Sequence, residues 1–373
     1  MPNRALRTGL AAAVLVAAGG ITFTVGQPRA EAEPECLSAS DDFNGDGTAD
    51  AAIGAPGHPD YPGSVEVHVS GANQATVVHV DEPDGRSGDQ FGAAVAEVAD
   101  YHEEGEDTRC SLLVVGAPRR DVGGKQDAGA VFLFQYDRST GKFALLHEYH
   151  QGSDGVPGTP QAGAMFGAEL ASPFHTTDTA PVVTPLYVGI PGATVNGRKG
   201  AGAVASLTFT GGATPTVGKG VLITQDSAGV PGTAEAGDAL GSALAATPVG
   251  VLAGTPGEDI GSATNAGSIV YWHTDPAATT VGVNQDTVGI PGSVESGDRF
   301  GSALYDIQEG REDEGNGEAL VGIPRENVGK VVDAGMVTLI PVEGGSFQLD
   351  RAIGYTQNSN GVAGTVEAYD YLG

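Results

Sequence analysis

Oxygen-bearing side chains alternate along one short stretch near the start of the chain, the segment DFNGDGTAD at residues 42–50. Gly47 occupies its sixth position, where a metal-binding loop must turn sharply. Calcium prefers six to eight hard oxygen ligands in a flexible arrangement. The pattern therefore predicts a calcium site whose ligands are the side chains of Asp42, Asn44, Asp46 and Asp50 and the backbone carbonyl of Thr48.

The residues that follow the loop decide which kind of calcium site this is. An EF-hand needs a bidentate Glu at position twelve and a helix after it, but Ile53 stands at that position. The run from Ala51 ends in Gly54-Ala55-Pro56, which is typical of a strand and a turn. The loop is therefore predicted to lead directly into a strand.

A Gly-x-Pro turn after a short apolar run recurs five times, beginning at Gly54, Gly116, Gly189, Gly254 and Gly322. A second glycine then opens an alternating run at Gly63, Gly129, Gly202, Gly267 and Gly335. In the last four copies this glycine stands 11 residues after the proline, which predicts one fixed turn. An apolar residue followed by glycine, as in Phe91-Gly92, is predicted to open the first strand of a unit.

The repeating unit is best explained by four antiparallel strands in 60–75 residues, the size of a propeller blade. The fold class is thus predicted to be an all-β propeller. The chain resembles the FG-GAP repeats of the integrin α-chain β-propeller, most closely the secreted bacterial kind, since Phe-Gly, Gly-Ala-Pro and an Asp-x-Asn-x-Asp-Gly-x-x-Asp loop occur together. The resemblance implies calcium bound in hairpin loops on one face of the blades.

Only the first unit keeps the complete calcium loop. The equivalent connections at residues 101–109, 174–182 and 308–318 are polar but lose the alternating spacing, and Thr247-Pro248 forms a short hairpin instead. Asp313, Glu314, Asn316 and Glu318 are compatible with a weak site or with a solvated acidic loop. Calcium is therefore assigned to residues 42–50 alone.

The predicted blade boundaries are residues 40–84, 85–154, 155–228, 229–288 and 289–360, with a partial unit at 361–373. Integrin propellers have seven blades, and five are visible here. One interpretation is a fragment of a six- or seven-bladed protein, and another is a five-bladed ring closed by pairing the two ends of the chain. An unclosed ring would expose strand edges, which proteins avoid.

The N-terminal residues 1–32 have the features of a signal peptide. Arg4 and Arg7 precede an apolar stretch from Gly9 to Val25, and Ala30-Glu31-Ala32 predicts cleavage after Ala32. An uncleaved anchor is the alternative. The expectation is a secreted protein without a membrane span in the mature chain, within which Cys36 and Cys110 are candidates for a disulfide.

Composition limits the possible partners. The chain has 47 acidic against 18 basic residues, and a net charge of −29 disfavours nucleic acid and anionic membranes as partners. The sequence contains no nucleophile elbow and no P-loop. The segment His147-Glu148-Tyr149-His150 is not a zinc-protease motif, because its histidines are three residues apart and not four. Neither cysteine has metal-ligand spacing. We therefore expect no enzymatic activity.

The functional hypothesis is a monomeric, calcium-binding adhesion-type module for an extracellular protein or glycan. An extracellular hydrolase or a carbohydrate-binding propeller is the alternative. The repeated Val-Pro-Gly block, with its acidic residues Glu235, Asp238, Glu295 and Asp298, either lines a ligand face or connects neighbouring blades.

Overall fold

A computed structural model describes residues 41–57, 60, 62–71, 75–101, 110–173, 185–210, 216–307 and 316–373, all within one compact unit, Glu35–Gly373. The predicted signal peptide and Cys36 lie outside the described residues, as does the side chain of Cys110. In the part described, regular structure is β-strand apart from one 3₁₀ turn, Leu349–Arg351. That part contains no helix long and apolar enough to cross a membrane. The predicted all-β class is confirmed.

The strands form five antiparallel sheets, numbered here in chain order. Sheet one contains β1 (Ala51–Ala55), β2 (Ser64–Val69) and β3 (Thr76–Asp81). Sheet two contains β4 (Ala94–Tyr101), β5 (Cys110–Ala117), β6 (Ala130–Asp137) and β7 (Lys142–Tyr149). Sheet three contains β8 (Leu170–Ala171), β9 (Pro185–Ile190), β10 (Ala203–Thr210), β11 (Thr216–Val217) and β12 (Val221–Ile223). Sheet four contains β13 (Leu244–Thr247), β14 (Gly250–Thr255), β15 (Ser268–His273) and β16 (Val281–Val283). Sheet five contains β17 (Leu304–Ile307), β18 (Gly317–Ile323), β19 (Met336–Glu343), β20 (Ser346–Phe347) and β21 (Ile353–Tyr355).

Successive strands pair as hairpins, which gives a propeller-like series of sheets, but the number of strands departs from the predicted four per unit. Sheet one has three described strands, and the residues before Asp41 lie outside the described part of the chain. Sheets three and five have five, because the outer strand is broken in two: β11 and β12 both pair with β10, and β20 and β21 both pair with β19. The 3₁₀ turn supplies the break in sheet five.

The hydrophobic core lies between consecutive sheets. Val65 and Val67 of β2 share a cluster with Leu113 and Val115 of β5, and equivalent clusters join sheets two to three, three to four and four to five. A central strand such as β5 is therefore apolar on both faces. Its run from Leu112 to Val115 is fully buried.

The Gly-x-Pro glycines mark the closest approach between sheets. A Cβ atom on Gly116 would lie 2.1 Å from the carbonyl oxygen of Gly167, and one on Gly54 would lie 2.0 Å from that of Gly92. Gly189 and Gly254 make the same contact with the next unit. Here the repeat requires glycine because the neighbouring backbone occupies the space of a side chain.

The Phe-Gly pair does not open a strand, contrary to the prediction. Phe91 and Gly92 precede β4 in a turn, and Gln90 before them has a φ of 59°. Phe91 is fully buried between sheets one and two, and the Gly92 N–H donates to the carbonyl of Gly116 at 2.9 Å. The pair therefore serves to pack one sheet against its neighbour.

The 11-residue connection forms the same small hairpin in its four copies. Isolated antiparallel bridges join Val122 to Lys125, Val195 to Arg198, Ile260 to Ala263 and Val328 to Val331. The constant length in the sequence thus corresponds to one repeated turn.

Candidate metal centre

The acidic loop lies immediately before β1 and is organised around Asp42. This side chain is 1% exposed and accepts backbone N–H groups from Gly45 at 2.6 Å, Asp46 at 3.1 Å and Gly47 at 2.7 Å. Gly45 and Gly47 have φ values of 68° and 86°, which only glycine adopts readily. The glycines therefore let the chain wrap around one carboxylate.

Asp50 fastens the loop to the adjacent hairpin. Its Oδ2 accepts the N–H of Phe43 at 2.9 Å, and its Oδ1 accepts the N–H of Ser70 at 2.6 Å. Ser70 follows β2, so this contact joins the start of the loop to the β2–β3 connection. Asp50 is itself 8% exposed, and it stabilises the loop from the buried side.

The other predicted ligands lie on the exposed side of the same loop. Asn44 Oδ1 accepts the Asp46 N–H at 2.8 Å, and Asp46 Oδ1 accepts the Thr48 N–H at 2.9 Å. These are local Asx turns, in which a side chain substitutes for a backbone acceptor. The structure therefore brings all five predicted residues into one compact loop.

Ser70 is the residue of this site that the sequence pattern did not reveal. Its hydroxyl donates to Asp46 Oδ1 and to the Thr48 carbonyl, both at 3.2 Å, and its own carbonyl accepts Asn44 Nδ2 at 2.8 Å. A serine between β2 and a glycine carries no motif. Only the pairing of β1 with β2 places it beside the loop.

The oxygen ligands of the loop are chemically suited to calcium, although several of them accept hydrogen bonds from backbone N–H groups of the same loop. No group of three or more His, Cys, Asp or Glu side chains in the described residues is arranged to hold a metal. A carboxylate offers about four acceptor positions, and the contacts above use three of those on Asp42. Asp46 Oδ2 accepts no hydrogen bond from a described residue, so oxygen capacity remains.

The electrostatics of the loop also favour a cation. Burial raises the pKa of Asp42, and the nearby Asp50 carboxylate adds to the rise, while the three backbone N–H groups oppose it. A bound cation would reverse this rise by stabilising the charged carboxylate. The loop thus combines hard oxygen ligands with unneutralised negative charge.

The other candidate sites have different outcomes. The pair Cys36–Cys110 and most of the acidic loops lie outside the described residues, but Asn316 is described, and its Oδ1 accepts the Gly344 N–H at 2.9 Å. Asp238 and Asp298 of the Val-Pro-Gly block are both 1% exposed. They accept the N–H groups of Glu235 and Glu295, and so they stabilise the connection between sheets.

A cavity of about 430 Å³ lies where the first strands of sheets two to five converge, and no sequence motif indicates it. Asp41 and Glu97 contribute to its wall. Glu97 accepts the Ser111 hydroxyl at 2.6 Å and the Asp41 N–H at 2.5 Å, and burial raises its pKa to about 9. Glu97 is therefore protonated near neutral pH. Tyr305, another lining residue, is 66% exposed.

Comparison with known proteins gives one match. A family model described as FG-GAP repeat matches residues 37–79, which include the acidic loop and β1 and β2. A search of curated proteins found no matching sequence. The matched segment, the recurrence of its landmarks and the all-β sheets agree: residues 37–79 are similar to an FG-GAP repeat, and they lie within a propeller-like series of sheets.

Proposed function

We propose that this chain is an exported, calcium-stabilised β-propeller that binds an extracellular protein or glycan. FG-GAP repeat domains are generally protein-binding modules, which supports the binding role. The observation that carries the calcium proposal is the loop of residues 42–50. Its oxygen atoms surround a buried carboxylate and are joined through Ser70 to the next hairpin.

Calcium would act in this proposal as a structural ion. Asp42, Asn44, Asp46 and Asp50 would supply side-chain oxygens, and Thr48 its carbonyl. The ion would neutralise the charge on Asp42 and Asp50 and would hold β1 against the β2–β3 connection. Export is consistent with this role, because the exterior of cells supplies calcium at millimolar concentrations suited to extracellular sites.

Thermal unfolding with and without calcium tests the proposal. Calcium at 100 times its Kd should stabilise the folded chain by about 2.7 kcal/mol, and EDTA should remove that gain. Asp46→Ala should lose the calcium response. The variant should still fold, because the Asp46 side chain is exposed and is not packed in the core. Unchanged melting of the wild-type chain in EDTA would exclude a structural calcium site.

Asp137→Ala is the matched control for this experiment. Asp137 also accepts N–H and hydroxyl groups in a tight turn, from Ser139 at 2.8 Å and Thr140 at 2.9 Å. It lies outside the acidic loop, at the end of β6 and before the turn to β7. The variant should lose a little stability and keep the full calcium response.

A carbohydrate-binding propeller is the second candidate, favoured by the cavity at the first strands. Its volume of about 430 Å³ is adequate for a small ligand, and the exposed ring of Tyr305 offers a stacking surface. A glycan array with Tyr305→Ala as the comparison tests this possibility. Specific glycan binding that the variant abolishes would favour this second function over protein binding.

A further inference from the structure

Each interface between consecutive sheets contains the same three positions, filled differently. The first follows the outer strand, the second stands two residues before the Phe-Gly or Leu-Gly pair, and the third is the second residue after the Gly-x-Pro turn. The interface between sheets one and two has Glu82, Asp89 and Arg120 at these positions, and that between sheets two and three has Gln151, Ala164 and Ala193. The interface between sheets three and four has Gln225, Asp238 and Glu258, and that between sheets four and five has Gln285, Asp298 and Glu326. Two interfaces thus carry two acids without a basic residue at these positions.

The interface between sheets four and five buries Asp298 and Glu326, which are 1% and 6% exposed. Gln285 Nε2 donates to Glu326 Oε2 at 2.6 Å, and the Glu295 N–H donates to Asp298 Oδ2 at 2.6 Å. Burial raises the pKa of Asp298 to about 7, with Glu326, Glu295 and Asp333 adding negative charge. Burial also raises the pKa of Glu326.

Arg325, which precedes Glu326 in the chain, directs its side chain to an aromatic ring. The Arg325 guanidinium lies over the ring of Tyr371, 5.7 Å from its centroid. Within the part of the chain that the structure describes, the charged groups that act on Asp298 and Glu326 are the carboxylates of Glu295, Asp333 and the pair itself. The two carboxyl groups therefore oppose each other when both are ionised.

The interface between sheets three and four repeats this arrangement. Asp238 is 1% exposed, and Gln225 Nε2 donates to Glu258 Oε2 at 2.5 Å. Burial raises the pKa of Asp238 to about 6 and that of Glu258 to about 7, and Glu235 and Asp259 contribute negative charge to both. Arg198 opposes the rise for Asp238 only weakly, since its guanidinium contacts Asp226 at 3.5 Å.

The remaining interfaces provide an internal contrast. Between sheets one and two, the Arg120 guanidinium contacts Glu82 at 2.8 Å and Asp89 at 3.5 Å, so the acids have a counter-charge. Between sheets two and three, Gln151 is present but both acids are replaced by alanine. The unneutralised acid pair is thus a property of the last two interfaces.

We propose that Asp238–Glu258 and Asp298–Glu326 are proton-operated contacts that hold sheets three, four and five together in mildly acidic solution and loosen them as the pH rises towards neutral. A pair that keeps one proton carries one negative charge and an additional hydrogen-bond donor. A fully ionised pair places two like charges in a buried interface, which costs free energy.

The direction of the effect follows from the pKa shifts. The folded-state pKa values, about 6 to 7, lie above the ordinary values of the unfolded chain, near 4. The stabilisation is therefore complete below about pH 4 and is lost as the pH rises through about 6 to 7. Between the unfolded-state and folded-state pKa values, the equilibrium constant for separation of the sheets increases about tenfold per pH unit for each proton released.

Hydrogen exchange of the full-length chain at about pH 5.5 and about pH 8, corrected for the intrinsic pH dependence of exchange, tests the proposal. Amides of β9 and β10 in sheet three, β14 and β15 in sheet four, and β18 and β19 in sheet five should lose protection at the higher pH. All samples contain EDTA, so that calcium binding does not change with pH.

Glu326→Gln is the decisive variant, because it retains a partner for Gln285 and removes one acid. It should abolish the pH response at β18 and β19 and leave that at β9 and β10 unchanged, while Glu258→Gln should do the reverse. Asp298→Asn provides a second route if Glu326→Gln folds poorly. A wild-type pH response in both Glu326→Gln and Asp298→Asn would overturn the proposal.

Discussion

At the scale of single residues, space and hydrogen bonding decide which side chains this chain tolerates. Glycine is required at position 116 for steric reasons, since a Cβ atom on Gly116 would lie 2.1 Å from the carbonyl oxygen of Gly167. Glycine is favoured at position 123 for conformational reasons, since Gly123 has a φ of 56° and there is open space around it. The two positions therefore separate steric from conformational requirements.

Gly116→Ala should lower the free energy of unfolding by about 3 kcal/mol or more, because the sheets must move apart to accept a methyl group. Gly123→Ala should cost only about 1 kcal/mol, the penalty for a left-handed alanine. Urea unfolding of both variants makes the comparison. Equal losses would contradict the close approach of sheets two and three.

At the scale of elements, Arg120 links sheet one to sheet two. Its guanidinium is 15% exposed and contacts Glu82, whose side chain is completely buried, and Glu148. Burial raises the pKa of Glu82 to about 7, the nearby Asp89 carboxylate adds to the rise, and the guanidinium opposes it. One arginine therefore compensates for the charge of several buried oxygens.

Arg120→Met should destabilise the chain by about 3–5 kcal/mol at pH 8, because Glu82 is left as a buried, unpaired charge. The loss should be smaller at about pH 5, because Glu82 is protonated below its pKa of about 7. The folded pKa lies above the unfolded value, so stability falls as the pH rises through about 7. Chemical unfolding at both pH values measures this difference.

Glu148→Gln is the control for that prediction. Its side chain is 33% exposed, and its carboxylate contacts the outer side of Arg120 at 2.8 Å. The variant should cost about 1 kcal/mol or less, with little change between the two pH values. A pH-independent loss in Arg120→Met would contradict the role assigned to Glu82.

At the scale of the whole molecule, excess negative charge opposes compaction. The chain carries 47 acidic and 18 basic residues, and several of its acids are buried. Repulsion between exposed charges is screened by salt, with a Debye length of about 10 Å at 0.1 M. Salt and the proposed calcium ion would therefore stabilise the chain by different routes.

Raising NaCl from about 0.02 M to about 0.5 M should increase the melting temperature of the wild-type chain, because screening reduces self-repulsion. Asp46→Ala should show the same increase, since its change removes only one of many charges. Calcium added at constant ionic strength should stabilise the wild-type chain further, but not this variant. A calcium effect that salt reproduces in full would show that the ion acts only by screening.

Much of the architecture and the acidic loop could be read from the sequence, because both depend on local patterns. Gly-x-Pro turns recur at regular spacing and bring alternating strands with them, and the ligand types of residues 42–50 occur within nine consecutive positions. Phe91-Gly92 was recognised as a landmark, but its role was assigned wrongly. Its function is contact with another sheet, which a local pattern does not report.

The tertiary structure alone decided which distant residues meet and how far each is desolvated. Ser70 joins the acidic loop through the pairing of β1 with β2, and Asp298, in the connection between β16 and β17, comes near Glu326, which follows β18. Both acids look like ordinary polar loop residues in the sequence. Burial without a positive partner changes their protonation, because a charged carboxylate loses water that nothing in the interface replaces.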